Sequence, residues 1–193
     1  MTRRASRFYR VAWAFYLVLA LGGLVGLAAQ GERMGLRLLV DPSSWWLDLG
    51  WGLGAGTALL GGWLAARRFL APARELERVM ARLLGHTTRQ EIAALAMISA
   101  VAEEVAFRGA LQHAIGWVGA AVLFALLHIG PRAPFLLWSL FALAGGLAFG
   151  WIMELRQALL GPIVGHLLVN LVQLRRLADA RGDDTAGLLP DDE

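Results

Sequence analysis

Uncharged, apolar runs of helical length follow one another along the chain, separated by short polar breaks. Val11 to Ala29 is an uncharged run of 19 residues behind four arginines in the first ten positions. A secretory signal begins in the same way, and Ala28-Ala29-Gln30 imitates its cleavage site. Such signals have an apolar core of only about 7–15 residues, so the run reads as a membrane anchor. Gln30 to Ser44 is a polar loop, and Trp45 to Ala66 is a second run with Asp48 near its start. Its tryptophans at 45, 46 and 63 are expected to mark the two interfaces. Further runs are Glu91 to His113, Gly116 to Ile129, Phe135 to Met153 and Ala158 to Leu174, with Gly130 to Pro134 a turn. A bilayer crossing needs about 20 apolar residues. The pattern therefore predicts an all-α, polytopic transmembrane helical bundle of about six spans. Arg67 to Gln90 departs from it. Six arginines lie there, while Leu70, Ala73, Leu76, Met80 and Leu83 recur at helical spacing, predicting an interfacial amphipathic helix between spans two and three.

Composition sharpens this picture. The chain has 193 residues, 58% of them apolar and 17% charged, against roughly 45–50% and 25% in soluble domains. With no cysteine, disulfides, thiol nucleophiles and thiolate metal sites are excluded. All 18 basic residues are arginine, which suits a GC-rich, bacterial coding sequence. A basic balance could suggest nucleic acid, but the arginines flank apolar runs and read as topology signals and contacts to anionic lipid. With six spans and both termini cytoplasmic, 14 arginines fall inside and four outside, the latter being Arg33, Arg37, Arg108 and Arg156. Three regions are expected: residues 1–90, two spans plus the amphipathic segment; residues 91–175, the core that bears the polar motifs; and a disordered tail, 176–193, basic and then acidic.

Glycines four apart at 22/26, 50/54, 52/56, 146/150 and 161/165 have the small-xxx-small spacing that lets helix backbones approach closely in lipid. They support a compact bundle and leave the oligomeric state open.

Ionisable residues inside a membrane are costly and mark functional sites by default. Glu103, Glu104 and Arg108 end one apolar run, Phe124 and His128 end the next, and His166 and Asn170 lie in the last. On a helix Glu104 and Arg108 are four apart and can pair, while Glu103 is turned by about 100°. One glutamate is thus held by the arginine and the other left available. Bundled inward, the three segments could converge on one water-accessible pocket. A carboxylate withdrawn from water is a better base and, once protonated, an acid for a leaving amine. Taken singly, each feature has a plainer reading: a structural ion pair, an interfacial histidine, an asparagine joining helices. Asp48 reads as interfacial, His86 and His113 match no motif and read as lying at polar interfaces, and Ser99, Ser139 and Thr57 belong to no nucleophile motif. Glu103, Glu104, His128 and His166 are acceptable zinc ligands, although no His-Glu-x-x-His spacing is present.

The ordered set Glu-Glu-x-x-x-Arg, Phe-x-x-x-His and His-x-x-x-Asn, spread over roughly Glu91 to Leu174, resembles the CAAX-protease and bacteriocin-processing (CPBP, or Abi) intramembrane peptidases. The resemblance implies a membrane-embedded glutamate-type endopeptidase with no cofactor and no metal. It implies that Glu103 activates water with His128, that His166 and Asn170 stabilise the oxyanion, and that Glu104, Arg108 and Phe124 support them. Expected partners are the lipid bilayer and a membrane-associated peptide or protein substrate, not nucleic acid. The expected location is the bacterial cytoplasmic membrane. The alternatives are a non-catalytic scaffold, regulator or immunity protein on the same fold, and a small proton-coupled transporter, for which no inverted repeat is visible.

Overall fold

A computed structural model describes residues 7–30, 43–85 and 87–186. The loop arginines Arg33 and Arg37, His86 and the last seven residues lie outside the described residues. Among those described the chain is all-helical. The elements are α1 (Arg7–Ala29), α2 (Trp45–Phe69), α3 (Ala71–Leu84), α4 (Arg89–Glu104), a π-helical segment (Val105–Leu111), α5 (Gln112–Leu126), α6 (Pro134–Arg156) and α7 (Leu160–Ala186). α7 thus runs past Arg175, where the sequence alone ends the sixth span.

Helix ends follow local chemistry. Thr88 and Glu91 form a reciprocal capping box at the start of α4, each side chain bonding the other's backbone N–H. Pro72 and Pro134 sit in the first turns of α3 and α6, where a missing N–H costs nothing. Among the described residues three stretches are long and apolar enough to cross a membrane: Tyr9–Ala29, Arg89–Leu126 and Pro134–Arg156.

The middle stretch is not one rod. Phe107 and Phe124 are 17 residues apart, about 25 Å along a straight helix, yet their ring centroids lie 5.0 Å apart. The chain folds back at Gly116, whose φ of 76° and ψ of 162° only glycine adopts readily. Space is no constraint there, since a Cβ would meet nothing within 4 Å. The expected break between the third and fourth runs is therefore real. It lies 13 residues beyond Glu103 and 12 before His128, which brings both to the same level of the hairpin.

Two of the five glycine pairs face each other. A Cβ on Gly52 would lie 2.2 Å from the Gly161 carbonyl oxygen, and one on Gly56 2.8 Å from that of Gly165. This seam fixes α2 against α7. Gly146 admits Ala121 of α5, whereas Gly50, Gly54 and Gly22 face open space. On α1 it is Gly23 rather than Gly22 that joins Gly26 in close contact, with Ala106 and Ala110 of the π-helical segment.

Two expectations change. Asp48 is fully buried and pairs with Arg156 (Oδ1–Nε 2.7 Å), because α6 delivers a guanidinium to it. Trp63 is a core residue, not an interface marker: it packs with Ala73, Leu76 and Phe135 and donates from Nε1 to Glu77 at 2.9 Å. α3 is amphipathic as expected, but turned, burying Ala73, Leu76, Ala81 and Leu84 while Leu70 and Leu83 stay exposed.

Candidate active site

The three segments that carry the polar motifs meet around one cavity of about 210 Å³. Glu103, His128, His166 and Asn170 all line it, together with Tyr16, Ser99 and an apolar wall including Trp63, Leu95, Trp138 and Phe141.

The local backbone explains how adjacent glutamates diverge. The α-helix widens into a π-helix immediately after Glu104, shown by the Gln112 N–H bonding Phe107 O, five residues back. Such widenings are frequent at functional sites because they redirect side chains without ending the helix. Glu104 is completely buried and turns into the bundle, where its Oε1 accepts from Arg108 Nη1 at 3.0 Å and from His166 Nδ1 at 2.6 Å. Glu103 instead lines the cavity.

Arg108 is itself 1% exposed. Its guanidinium carbon lies 4.8 Å from the centroid of Phe124 and 5.9 Å from that of Phe149, a cation held between two ring faces. Such a charge stays buried only with a carboxylate and soft π partners around it. Arg108, expected among the four arginines on the outer side, is instead buried in the bundle and paired with Glu104, and Arg156 is likewise committed to Asp48.

Glu104 is therefore more than a brace for the arginine. An ionised carboxylate only accepts, so His166 Nδ1 donates to it and the opposite nitrogen, Nε2, faces Glu103 Oε2 at 3.5 Å. The ring also stacks on Phe149 at 5.7 Å and 20°. His128 is oriented by the same logic. Its Nδ1 lies 2.7 Å from the Phe124 carbonyl oxygen, which can only accept, so in the neutral ring Nε2 carries the lone pair. Phe124 and Trp138 hold that ring at centroid distances of 4.4 and 5.2 Å.

Asn170 donates from Nδ2 to Ser99 Oγ at 2.9 Å, and Ser99 in turn donates to Ala96 O at 3.2 Å. One amide hydrogen of Asn170 is left over. Ser99, which fits no nucleophile motif, anchors Asn170 instead.

The sequence reading missed Tyr16, Ser99 and Phe149. Ser99 and Phe149 carry no local signal, since each becomes informative only once a neighbouring helix is in place. Tyr16 did carry one, a lone hydroxyl in the middle of an otherwise apolar run. Among the described residues no group of three or more His, Asp or Glu side chains is arranged to hold a metal ion.

Residues 87–172 match the family described as type II CAAX prenyl endopeptidase Rce1-like. The resemblance drawn from the three motifs is thereby shown over that stretch. No curated protein and no solved structure matches the chain. Three apolar stretches among the described residues and this family match make it an integral membrane protein.

Proposed function

With residues 87–172 matching the family described as type II CAAX prenyl endopeptidase Rce1-like, we propose that this chain is a glutamate-dependent intramembrane endopeptidase. It hydrolyses a membrane-associated peptide or protein. The observation that carries the reading is the convergence of Glu103, His128, His166 and Asn170 on one largely apolar cavity.

Peptide hydrolysis needs a base for water and donors aimed at the oxyanion. Glu103, assisted by the free Nε2 of His128, takes a proton from a water in the cavity. The resulting hydroxide adds to the scissile carbonyl carbon. The spare amide hydrogen of Asn170 stabilises the charge that develops on the carbonyl oxygen, joined by His166 Nε2 when that ring carries a proton on each nitrogen. Glu103 then returns its proton to the amide nitrogen as the C–N bond breaks, leaving a carboxylic acid and an amine, between which the acid proton is then shared out. Glu104 and Arg108 keep His166 in the ring orientation this requires. No step calls for a metal, and zinc is left to the test.

We read the architecture as six spans with both termini cytoplasmic and α3 at the cytoplasmic interface. α2 has 25 residues, about 37 Å of helix, and its glycine seam with α7 suits two helices crossing the bilayer together.

The test is cleavage of a quenched peptide library by the purified chain and by Glu103→Gln, each with and without a chelator. Cleavage that requires Glu103 and survives the chelator is expected. Cleavage lost with the chelator would mean a metallopeptidase, and cleavage retained by Glu103→Gln would overturn the mechanism. No cleavage by the unaltered chain would favour a scaffold on the same fold.

A further inference from the structure

α1 lies outside the matched stretch, yet one face of it is built into the site. Ala12, Tyr16, Gly23, Leu27 and Gln30 point inward at helical spacing, while Val11, Phe15, Val18, Leu21, Leu24 and Val25 are exposed. The inward face is tightly registered. A Cβ on Gly23 would lie 2.9 Å from the Ala106 backbone, and one on Gly26 2.7 Å from Ala110 Cβ. Beyond them Gln30 Nε2 donates to Ala110 O at 2.9 Å. Each contact is made with the π-helical segment that follows the two glutamates. The helix cannot slide without breaking one of them.

Two turns before Gly23 this register sets Tyr16 on the wall of the cavity that Glu103 lines, with its hydroxyl beside that carboxylate. Glu103 is otherwise faced by His166 Nε2 at 3.5 Å, with His128 across the cavity and the Glu104–Arg108 pair behind it. None of these gives it a short, directional donor, and a carboxylate that must receive a proton from one particular water works only if its orientation is fixed.

We infer that Tyr16 is a positioning residue for Glu103, and that α1 is therefore part of the catalytic assembly and not only an anchor. The inference rests on the glutamate-peptidase reading above. The hydroxyl holds one carboxylate oxygen and leaves the other turned to the water it must deprotonate.

The test is Tyr16→Phe, which keeps the ring, beside Phe15→Leu on the exposed face of the same helix and Glu103→Gln, all assayed on peptides that the unaltered chain cleaves. Tyr16→Phe is expected to lower kcat about tenfold with KM within about twofold and an unchanged Tm. Phe15→Leu is expected to leave both constants unchanged. A second readout needs no substrate. With Tyr9→Phe as background, Tyr16 is the sole tyrosine, and its ultraviolet resonance Raman doublet is expected to change when Glu103→Gln is added. An unchanged doublet, or unchanged kcat in Tyr16→Phe while Glu103→Gln is inactive, overturns the inference and leaves the protease reading standing. A loss of activity seen as a raised KM or a lowered Tm also overturns it, since Tyr16 would then be a substrate or packing contact. Wild-type cleavage by Glu103→Gln overturns the protease reading and the inference together.

Discussion

Among the described residues two carboxylate–arginine pairs are buried, and they are not equivalent. Glu104–Arg108 is local, four residues apart, with side-chain exposures of 0% and 2%. Asp48–Arg156 joins α2 to the end of α6, 108 residues apart, with exposures of 0% and 17%. By itself either would be read as structural, and a buried ion pair is weak evidence even of stability. What separates them is what else they hold. Glu104 also orients His166, which faces a cavity and Glu103. Arg156 also holds Ser44 at the start of α2, and none of Arg156, Asp48 and Ser44 lines the cavity. A charge pair thus points to chemistry when its second contact is a group left free to act on something else.

The largest expected effect comes from deleting the carboxylates. Glu104→Ala leaves Arg108 with two aromatic rings and no counter-ion, so a loss of about 3–5 kcal/mol is expected together with loss of cleavage. Asp48→Ala strands an arginine that can partly hydrate, so the loss is expected to be smaller, about 2–3 kcal/mol, with kcat per folded molecule kept within about twofold. Thermal unfolding in detergent and cleavage assays on both variants check this. Full activity in Glu104→Ala, or an inactive but folded Asp48→Ala, would break the distinction.

A smaller effect is expected at the seam that carries α7. A methyl on Gly52 would collide with the Gly161 carbonyl at 2.2 Å, whereas one on Gly50 meets nothing within 4 Å. Gly52→Ala should destabilise by about 1–3 kcal/mol through overpacking. It should also lower kcat, since Gly161 and Gly165 precede His166 on the helix that bears both His166 and Asn170. Gly50→Ala should be neutral or stabilise by up to about 1 kcal/mol. Tm and kcat measured on both variants decide it; equal behaviour would mean that the seam does not set the height of α7.

These two contrasts also explain what the sequence could reveal. The helical class, the Gly116 break and the candidacy of Glu103, His128, His166 and Asn170 were all legible, though not the common level of Glu103 and His128. Each is written either in hydrophobic period or in a polar residue where lipid would not accept one. The fate of Asp48 was not, because its partner lies 108 residues away and only helix packing brings Arg156 to it. Nor was the turn of α3, since a stripe of apolar residues fixes a face only to within a residue or two. The double duty of Glu104 was hidden for a related reason. Its spacing to Arg108 is local and visible, but its contact with His166 spans 62 residues.

The smallest effect tests whether a residue can matter to the site without belonging to either pair. Ser99 is 3% exposed and stands between Asn170 Nδ2 at 2.9 Å and the Ala96 carbonyl at 3.2 Å. Ser99→Ala removes one hydroxyl from a helix that prefers alanine. The lost hydrogen bond, worth about 1 kcal/mol, is therefore partly offset, and Tm should move by no more than a few degrees. Asn170, however, loses what fixes its amide, and an oxyanion donor free to rotate stabilises the developing charge less well. A fall in kcat of about three- to tenfold with KM unchanged is expected, checked by steady-state cleavage kinetics. Asn170→Ala should exceed it, at about a hundredfold or more, and Ser99→Ala added to Asn170→Ala should cost nothing further, because the serine would act only through the asparagine. Additive losses in the double variant would mean that Ser99 reaches the substrate by itself.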